Sequence, residues 1–401
     1  MKCLALGLAV TLAQVALAVG TAHPEGSWGD RYRTLVQHDS FWFANIIDRG
    51  YGTTLPPVDH KEMEVSNVAF FPAYPLLASA LARVTGLGTY EALLVAAQLA
   101  TWAFWTYFFL FAVRWELSPV LQGFGALAIV AHPAAFYLVA GYSESLFLAM
   151  LAGFLSWSTR EGRGAAALAV GHGVVLSATR IVGLPCALFP IVHSVFGKGW
   201  ARTGNFRAWL WRQRGPVLVS AFSMLGGLAF FLYCQVRWGR WDIYMLTQSA
   251  GWGIEPDYLA AFRPENYRWA LPPYDAPTVV SQFTSAVAGG LFVAIAAAEL
   301  LRAFRGESGW RRRLGFYFCA ALIYYLSLAG VASVQLESML RYDLCVHALV
   351  VLGLLHFLGE LRVAPVFVRA FAMAAVAVAA AAGLALQGYY VWNFTQGNWV
   401  A

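Results

Sequence analysis

Apolar runs of about twenty residues recur along almost the whole chain, and no other feature limits its fold so tightly. Coiled as an α-helix, such a run matches the hydrocarbon thickness of a bilayer, where only helices and closed barrels satisfy their own backbone hydrogen bonds. Barrel strands alternate polar and apolar residues, which these runs do not, so an all-α polytopic membrane bundle is predicted. Composition points the same way: 60% of the 401 residues are hydrophobic and 12% are charged, against roughly a quarter charged in a soluble domain.

Apolar runs between charged or Pro/Gly-rich breaks predict spans near 3–22, 89–113, 118–133, 143–158, 164–179, 181–197, 216–237, 279–301, 315–334, 343–358 and 367–391, eleven helices in one domain covering 1–401. Residues 66–86 are also apolar, but their aromatics and two prolines suit a segment lying in the interface. Lys2 and the run ending Ala16-Leu17-Ala18 are compatible with a cleavable signal peptide. The length from Leu4 to Thr21 favours a retained first helix.

Cations set the expected orientation. Segments 198–214 and 302–313 carry five Lys or Arg each, whereas the much longer loops 23–65 and 238–278 carry four and three. Positive segments stay inside, so 23–86 is the expected first outer loop, with interfacial segments, and 238–278 the second. The N-terminus is then cytoplasmic and the C-terminus outside. The formal charge of +6 reflects this asymmetry, and no nucleic-acid partner is inferred from it. Cys3, Cys186, Cys234, Cys319 and Cys345 lie in apolar runs without paired spacing, which argues against a disulfide framework or zinc site.

Three groups of ionisable residues fall at the expected outer ends. His38-Asp39-Ser40-Phe41-Trp42-Phe43, followed by Asp48, Arg49 and Tyr51, places a carboxylate among rings that can stack on a sugar, although such loops also serve as interfacial anchors. Tyr142-Ser143-Glu144-Ser145 opens a helix, and a plain N-cap accounts for the position without excluding a site. Arg180 and Arg341 lie near membrane depth, where a guanidinium is expensive unless it is paired or faces a polar cavity. Its fork of donors suits a phosphate. Snorkelling, or pairing with a carboxylate such as Glu337, is the alternative. The sequence has no phosphate-binding glycine loop, dinucleotide fingerprint or His-Glu-x-x-His helix. His132, His172, His193, His347 and His356 sit in apolar runs and suit packing. Asn393-Phe394-Thr395 matches a glycosylation sequon, a pattern short enough to occur by chance.

Several pieces together resemble the PIG-V family of GT-C glycosyltransferases, which includes GPI mannosyltransferase 2 and bacterial relatives. They are His38-Asp39 with Trp42-Phe43 and Gly50-Tyr51, the stretch Asn67-Val68-Ala69-Phe70-Phe71-Pro72-Ala73-Tyr74-Pro75, then Ala140-Gly141-Tyr142-Ser143-Glu144-Ser145-Leu146-Phe147, and Thr179-Arg180-Ile181-Val182-Gly183. Gln248-Ser249-Ala250-Gly251-Trp252-Gly253 and the ending Gly397-Asn398-Trp399 look like bacterial members. His38 stands where the family usually has tryptophan, leaving the acid but changing its neighbour.

The resemblance implies a GT-C-like bundle and an inverting transferase that moves a hexose, mannose by family default, from a polyprenyl- or dolichyl-phosphate sugar. The acceptor would be a glycolipid or other glycan at the non-cytoplasmic face. Asp39 is the implied catalytic base, and Arg180 and Arg341 are the candidates for the donor phosphate. His38, Trp42, Tyr51, Asn67, Tyr142, Glu144 and Trp252 are the candidate substrate contacts. A bacterial inner membrane fits better than endoplasmic reticulum, and a metal requirement is left open. The rival class is a lipid or solute transporter or flippase, which should show paired helical repeats and interrupted midplane helices.

Overall fold

In the computed structural model, which describes residues 1–53, 66–197, 206–360 and 366–400, an isolated bridge between Thr53 and Ser66 is the only β pairing among the described residues. Everything else regular is helical, as the apolar runs require. Among the described residues, six helices are long and apolar enough to cross a bilayer: Lys2–Thr21, Thr89–Arg114, Pro277–Phe304, Trp310–Val334, Met339–Glu360 and Ala374–Phe394. Gln213–Ser223 and Leu225–Trp238, bent by 44° at their junction, make a seventh if taken as one span.

The expected eleven full-length spans are thus not all present at spanning length. Pro119–Val130, Glu144–Ser158 and Arg163–Ser177 have 12, 15 and 15 residues, about 18–22 Å of helix at 1.5 Å per residue against a hydrocarbon core of roughly 30 Å. Pro185 and Pro190 accompany the division of 181–197 into Gly183–Cys186, Phe189–Val192 and a π-helical turn at His193–Gly197. One of these runs is apolar because it lies inside the protein. Twelve residues of Glu144–Ser158 are buried, so that helix is covered by protein on nearly every side. The 66–86 stretch forms a short 3₁₀ turn at Asn67–Ala69 and the thirteen-residue helix Ala73–Thr85, too short to cross.

Lys2–Thr21 packs along Thr89–Arg114 through small and hydrogen-bonded contacts. Gly7 leaves room for the Thr106 side chain and backbone, Trp105 Nε1 donates to Gln14 Oε1 at 2.6 Å, and Trp102 Nε1 donates to Leu4 O at 2.8 Å. The two ends of the bundle carry separate charge clusters. At one end Arg313, fully buried, donates two bonds to Glu299 and one each to His356 and Glu360, while Arg302 also reaches Glu360. This is the end of the cation-rich segment 302–313. Arg341 begins the same helix that Glu360 ends, roughly 28 Å away at 1.5 Å per residue.

The bend at Met224 has a specific hydrogen-bond solution. A straight helix would bond Gly227 N–H to Ser223 O. Here Ser177 Oγ donates to Ser223 O at 2.7 Å and accepts from Gly227 N at 3.1 Å, so a hydroxyl is inserted into the ladder. A Cβ at Gly226 would lie 1.9 Å from Val174 O, so only glycine lets the backbones approach this closely. Replacing Ser177 by Ala should leave both backbone groups without partners and cost about 1–3 kcal/mol. Thermal unfolding of the detergent-solubilised protein measures this, and an unchanged midpoint would mean the hydroxyl is dispensable.

Candidate active site

The first outer loop turns back onto the bundle through local caps. Ser27 and Asp30 form a reciprocal capping box on Trp28–Arg33. The chain then enters the helix Asp39–Arg49 through His38, whose φ of 49° and ψ of −112° are unfavourable for a residue with a Cβ. The His38 ring explains how the conformation is held. Its Nε2 lies 3.1 Å from the carbonyl oxygen of Asn398, which can only accept, so Nε2 carries the hydrogen. Trp399 packs edge-on at 5.1 Å between centroids and Phe394 at 5.6 Å. Burial lowers the His38 pKa from its ordinary value, opposed by the Asn398 carbonyl and by Asp39.

Asp39 occupies the first turn of its helix, where the dipole favours a carboxylate. Its backbone N–H donates to the Tyr142 hydroxyl at 3.3 Å. Close approach of the two segments depends on Gly141, where a Cβ would stand 2.9 Å from Ser40 Oγ.

The acid belongs to a chain of four charges. Arg341 Nη1 pairs with Asp39 Oδ2, Arg341 Nε lies 3.2 Å from Glu144 Oε1, and Arg180 Nη1 lies 2.6 Å from that same Glu144 oxygen. Side-chain exposure grades from 1% for Glu144 and 7% for Arg341 to 16% and 17% for Arg180 and Asp39, so the chain is buried in the middle and open at both ends. Tyrosines wall it in. Arg341 stands over Tyr142 at 5.2 Å and Tyr342 at 5.4 Å, and Arg180 stands over Tyr342 at 4.8 Å. Glu144 Oε2 is buried without a hydrogen-bond partner. Two guanidiniums held by one carboxylate leave donors that a bound anion can take over.

Asp39, Arg341, Glu144, Arg180, Tyr142 and His38, scattered over some three hundred positions, thus meet. Trp42 and Trp252 meet each other instead, 5.4 Å apart and joined by Phe70 at 5.8 and 5.9 Å. The second outer loop is tied to the first there, as Gln248 Nε2 donates to Ala69 O at 3.2 Å. Tyr51 donates to Phe70 O at 2.7 Å and packs against Phe230 and Tyr233. Asn67 bonds Asn45 and Gly50 O at 2.6 and 2.9 Å and accepts from Gly52 N at 3.0 Å. These are the contacts of loop-fixing residues. Tyr137, Tyr342 and Trp399 are not among the candidate contacts drawn from the sequence, where Trp399 enters only through the resemblance to bacterial members, although their rings face Arg341. Tyr342 was discoverable as the neighbour of Arg341, but nothing in one sequence places residue 399 beside residue 38. Among the described residues, no three His, Cys, Asp or Glu side chains are placed to hold a metal. The sequon folds into a helix end, with Asn393 Nδ2 donating to Tyr389 O at 2.8 Å and Thr395 Oγ1 to Val391 O at 2.9 Å.

Among solved structures, the chain is similar to ArnT from Cupriavidus metallidurans bound to undecaprenyl phosphate, with a TM-score of 0.52 and 16% identity over 90% of this chain. The chain shares the fold of that ArnT structure. It spans 60% of that ArnT's length. The apo ArnT structure from the same organism aligns with a TM-score of 0.48 and 17% identity over 92% of this chain and 61% of its own. No protein-family model and no curated protein sequence matches the chain.

Glu144 holds both arginines, so Glu144→Gln should leave Arg180 without a carboxylate partner and Arg341 with Asp39 alone, at a cost of roughly 3–5 kcal/mol. A drop in unfolding temperature much smaller than that of a core cavity variant would show that the arginines find other partners.

Proposed function

We propose that the chain is a lipid-dependent glycosyltransferase of the PIG-V type, taking a hexosyl group, mannose by family resemblance, from a polyprenyl-phosphate donor to a hydroxyl of a glycan or glycolipid acceptor. The observation that carries this reading is the pairing of one partly exposed carboxylate, Asp39, with a buried arginine beside a second one. A likeness in fold to an ArnT crystallised with undecaprenyl phosphate supports the class of donor.

The chemistry follows from the charges. The donor phosphate competes for Arg341 and Arg180, and as Arg341 turns to it Asp39 is released to act as a base. Asp39 takes the acceptor hydroxyl proton while the acceptor oxygen bonds to the anomeric carbon. The bond from that carbon to the phosphate oxygen breaks on the opposite face, inverting the centre, and the lipid phosphate departs onto the arginines. Tyr142 and His38 hold the Asp39 backbone, and Trp42 with Trp252 forms an apolar wall for the lipid or the sugar face. The site lies at the end opposite the cation-rich segment 302–313, which supports a periplasmic or lumenal location, in a bacterial inner membrane by resemblance.

A transporter or flippase also places charges beside a cavity, but it gives no reason for a carboxylate at a helix N-terminus latched by arginine. The deciding experiment incubates purified protein with radiolabelled polyprenyl-phosphate sugars and acceptor glycolipids. Asp39→Asn should reduce turnover by about 10²–10⁴-fold, the usual worth of a general base, without weakening donor binding, since the phosphate no longer competes with a carboxylate for Arg341. Near-normal turnover in that variant would remove Asp39 from the role.

A further inference from the structure

Against the helices Pro277–Phe304 and Trp310–Val334 lies an irregular stretch of the second outer loop that carries two 3₁₀ turns, Ala260–Phe262 and Pro264–Asn266. The two helices fix its depth. Arg302 and Arg313 belong to the charge cluster that closes the opposite end of the bundle. Counted from them, the roughly 30 Å of hydrocarbon, about twenty helical residues, ends near Gln282 on one helix and near Ser333 on the other. Leu340 N donates to Ser281 Oγ at 3.2 Å, so this is also the level of Arg341. The stretch touches both levels, since Arg268 N donates to Gln282 O at 3.3 Å and Glu255 N to Ser333 Oγ at 2.9 Å. Other parts of it lie deeper. A Cβ on Gly290 would stand 3.5 Å from the Trp269 ring, and Tyr258 O accepts from the Tyr325 hydroxyl at 2.9 Å. Gly290 and Tyr325 are each eight residues further from the Arg341 end than those levels, about 12 Å along the helix.

Irregular backbone at such a depth needs its polar groups satisfied by protein, and here they are. Asp257 N donates to Ala329 O at 2.8 Å, Leu259 N to Asp257 Oδ1 at 3.0 Å, Asn266 Nδ2 to Ala260 O at 2.9 Å and the Tyr267 hydroxyl to Ala261 O at 2.8 Å. Asp257 and Arg263 pair at 2.8 Å, which suits charges near a bilayer. Large apolar side chains nevertheless point away from the protein: Leu259, Phe262 and Trp269 are 64%, 78% and 70% exposed. The depth count places them where acyl chains, and not water or a soluble protein, are the surroundings.

We propose that residues 254–269 form a re-entrant wedge whose Leu259, Phe262 and Trp269 side chains lie among the acyl chains of the leaflet on the Arg341 side. The interaction partner of this surface is the lipid bilayer. Glu255 and Arg268, at the two levels where hydrocarbon ends, face the headgroups.

The test uses the full chain in phosphatidylcholine vesicles, with Cys3 replaced by serine, the other four cysteines being buried. Nitroxide labels are placed one at a time at Glu255→Cys, Leu259→Cys, Phe262→Cys and Trp269→Cys. Oxygen concentrates among acyl chains and a nickel chelate stays in water, so the ratio of collisions with oxygen to collisions with the chelate should rise from residue 255 to the other three. Unfolding temperatures monitor integrity. No rise at any of the three overturns the wedge and returns the stretch to water. Protection of all three from both reagents overturns it as well, with a protein partner or a second copy of the chain as the cover. A second reading removes a side chain in place of labelling it: bromine-substituted phosphatidylcholine should quench a smaller share of the tryptophan fluorescence in Trp269→Phe than in the wild type. An equal share in both removes Trp269 from the bilayer. Neither measurement needs turnover.

Discussion

A guanidinium shared between two carboxylates organises one end of this molecule. Arg341 joins Asp39 on the first outer loop to Glu144 at the start of a core helix, and Glu144 reaches Arg180 between two further helices. Two positive and two negative charges balance, which is what permits four ionised groups to sit where water is scarce. The same balance is poised to be disturbed. An arriving phosphate adds negative charge beside arginines whose present partners are both carboxylates, and the partner with least burial, Asp39, is the one most easily released.

Elsewhere in the bundle polar groups are spent on holding helices together. Ser177 repairs the backbone at the bend after Ser223, and Arg313 with Glu299 and Glu360 closes the opposite end. That second cluster places one glutamate against each side of its arginine and is more deeply covered at its centre. Its bonds fix three helix ends relative to one another. Both clusters are covered at the centre, by Arg313 and by Glu144, and open at their ends, so exposure alone does not separate the structural charges from the candidate catalytic ones.

The helical class and the identity of Asp39, Glu144, Arg180 and Arg341 as unusual residues were legible in the sequence; of the two cation-rich segments, 198–214 lies partly outside the described residues. The number of full-length spans was not legible. Hydropathy cannot distinguish a helix facing lipid from one surrounded by other helices, and Glu144–Ser158 is of the second kind. Residues chosen for aromatic or polar character divided in the same way. His38 and Tyr142 meet the charge chain, whereas Tyr51 and Asn67 hold the loop that carries it.

By itself the sequence determined that the backbone must close its hydrogen bonds within helices, because a chain this apolar has no water to satisfy them. It also marked which charges need a reason to exist, since each is costly at membrane depth. Only the tertiary structure decided which of those charges share an oxygen, that residue 341 latches residue 39, and that the end of the chain brings Trp399 against His38. Such pairings depend on how helices far apart in sequence pack together, and the local periodicity of each helix is the same whichever neighbour it finds.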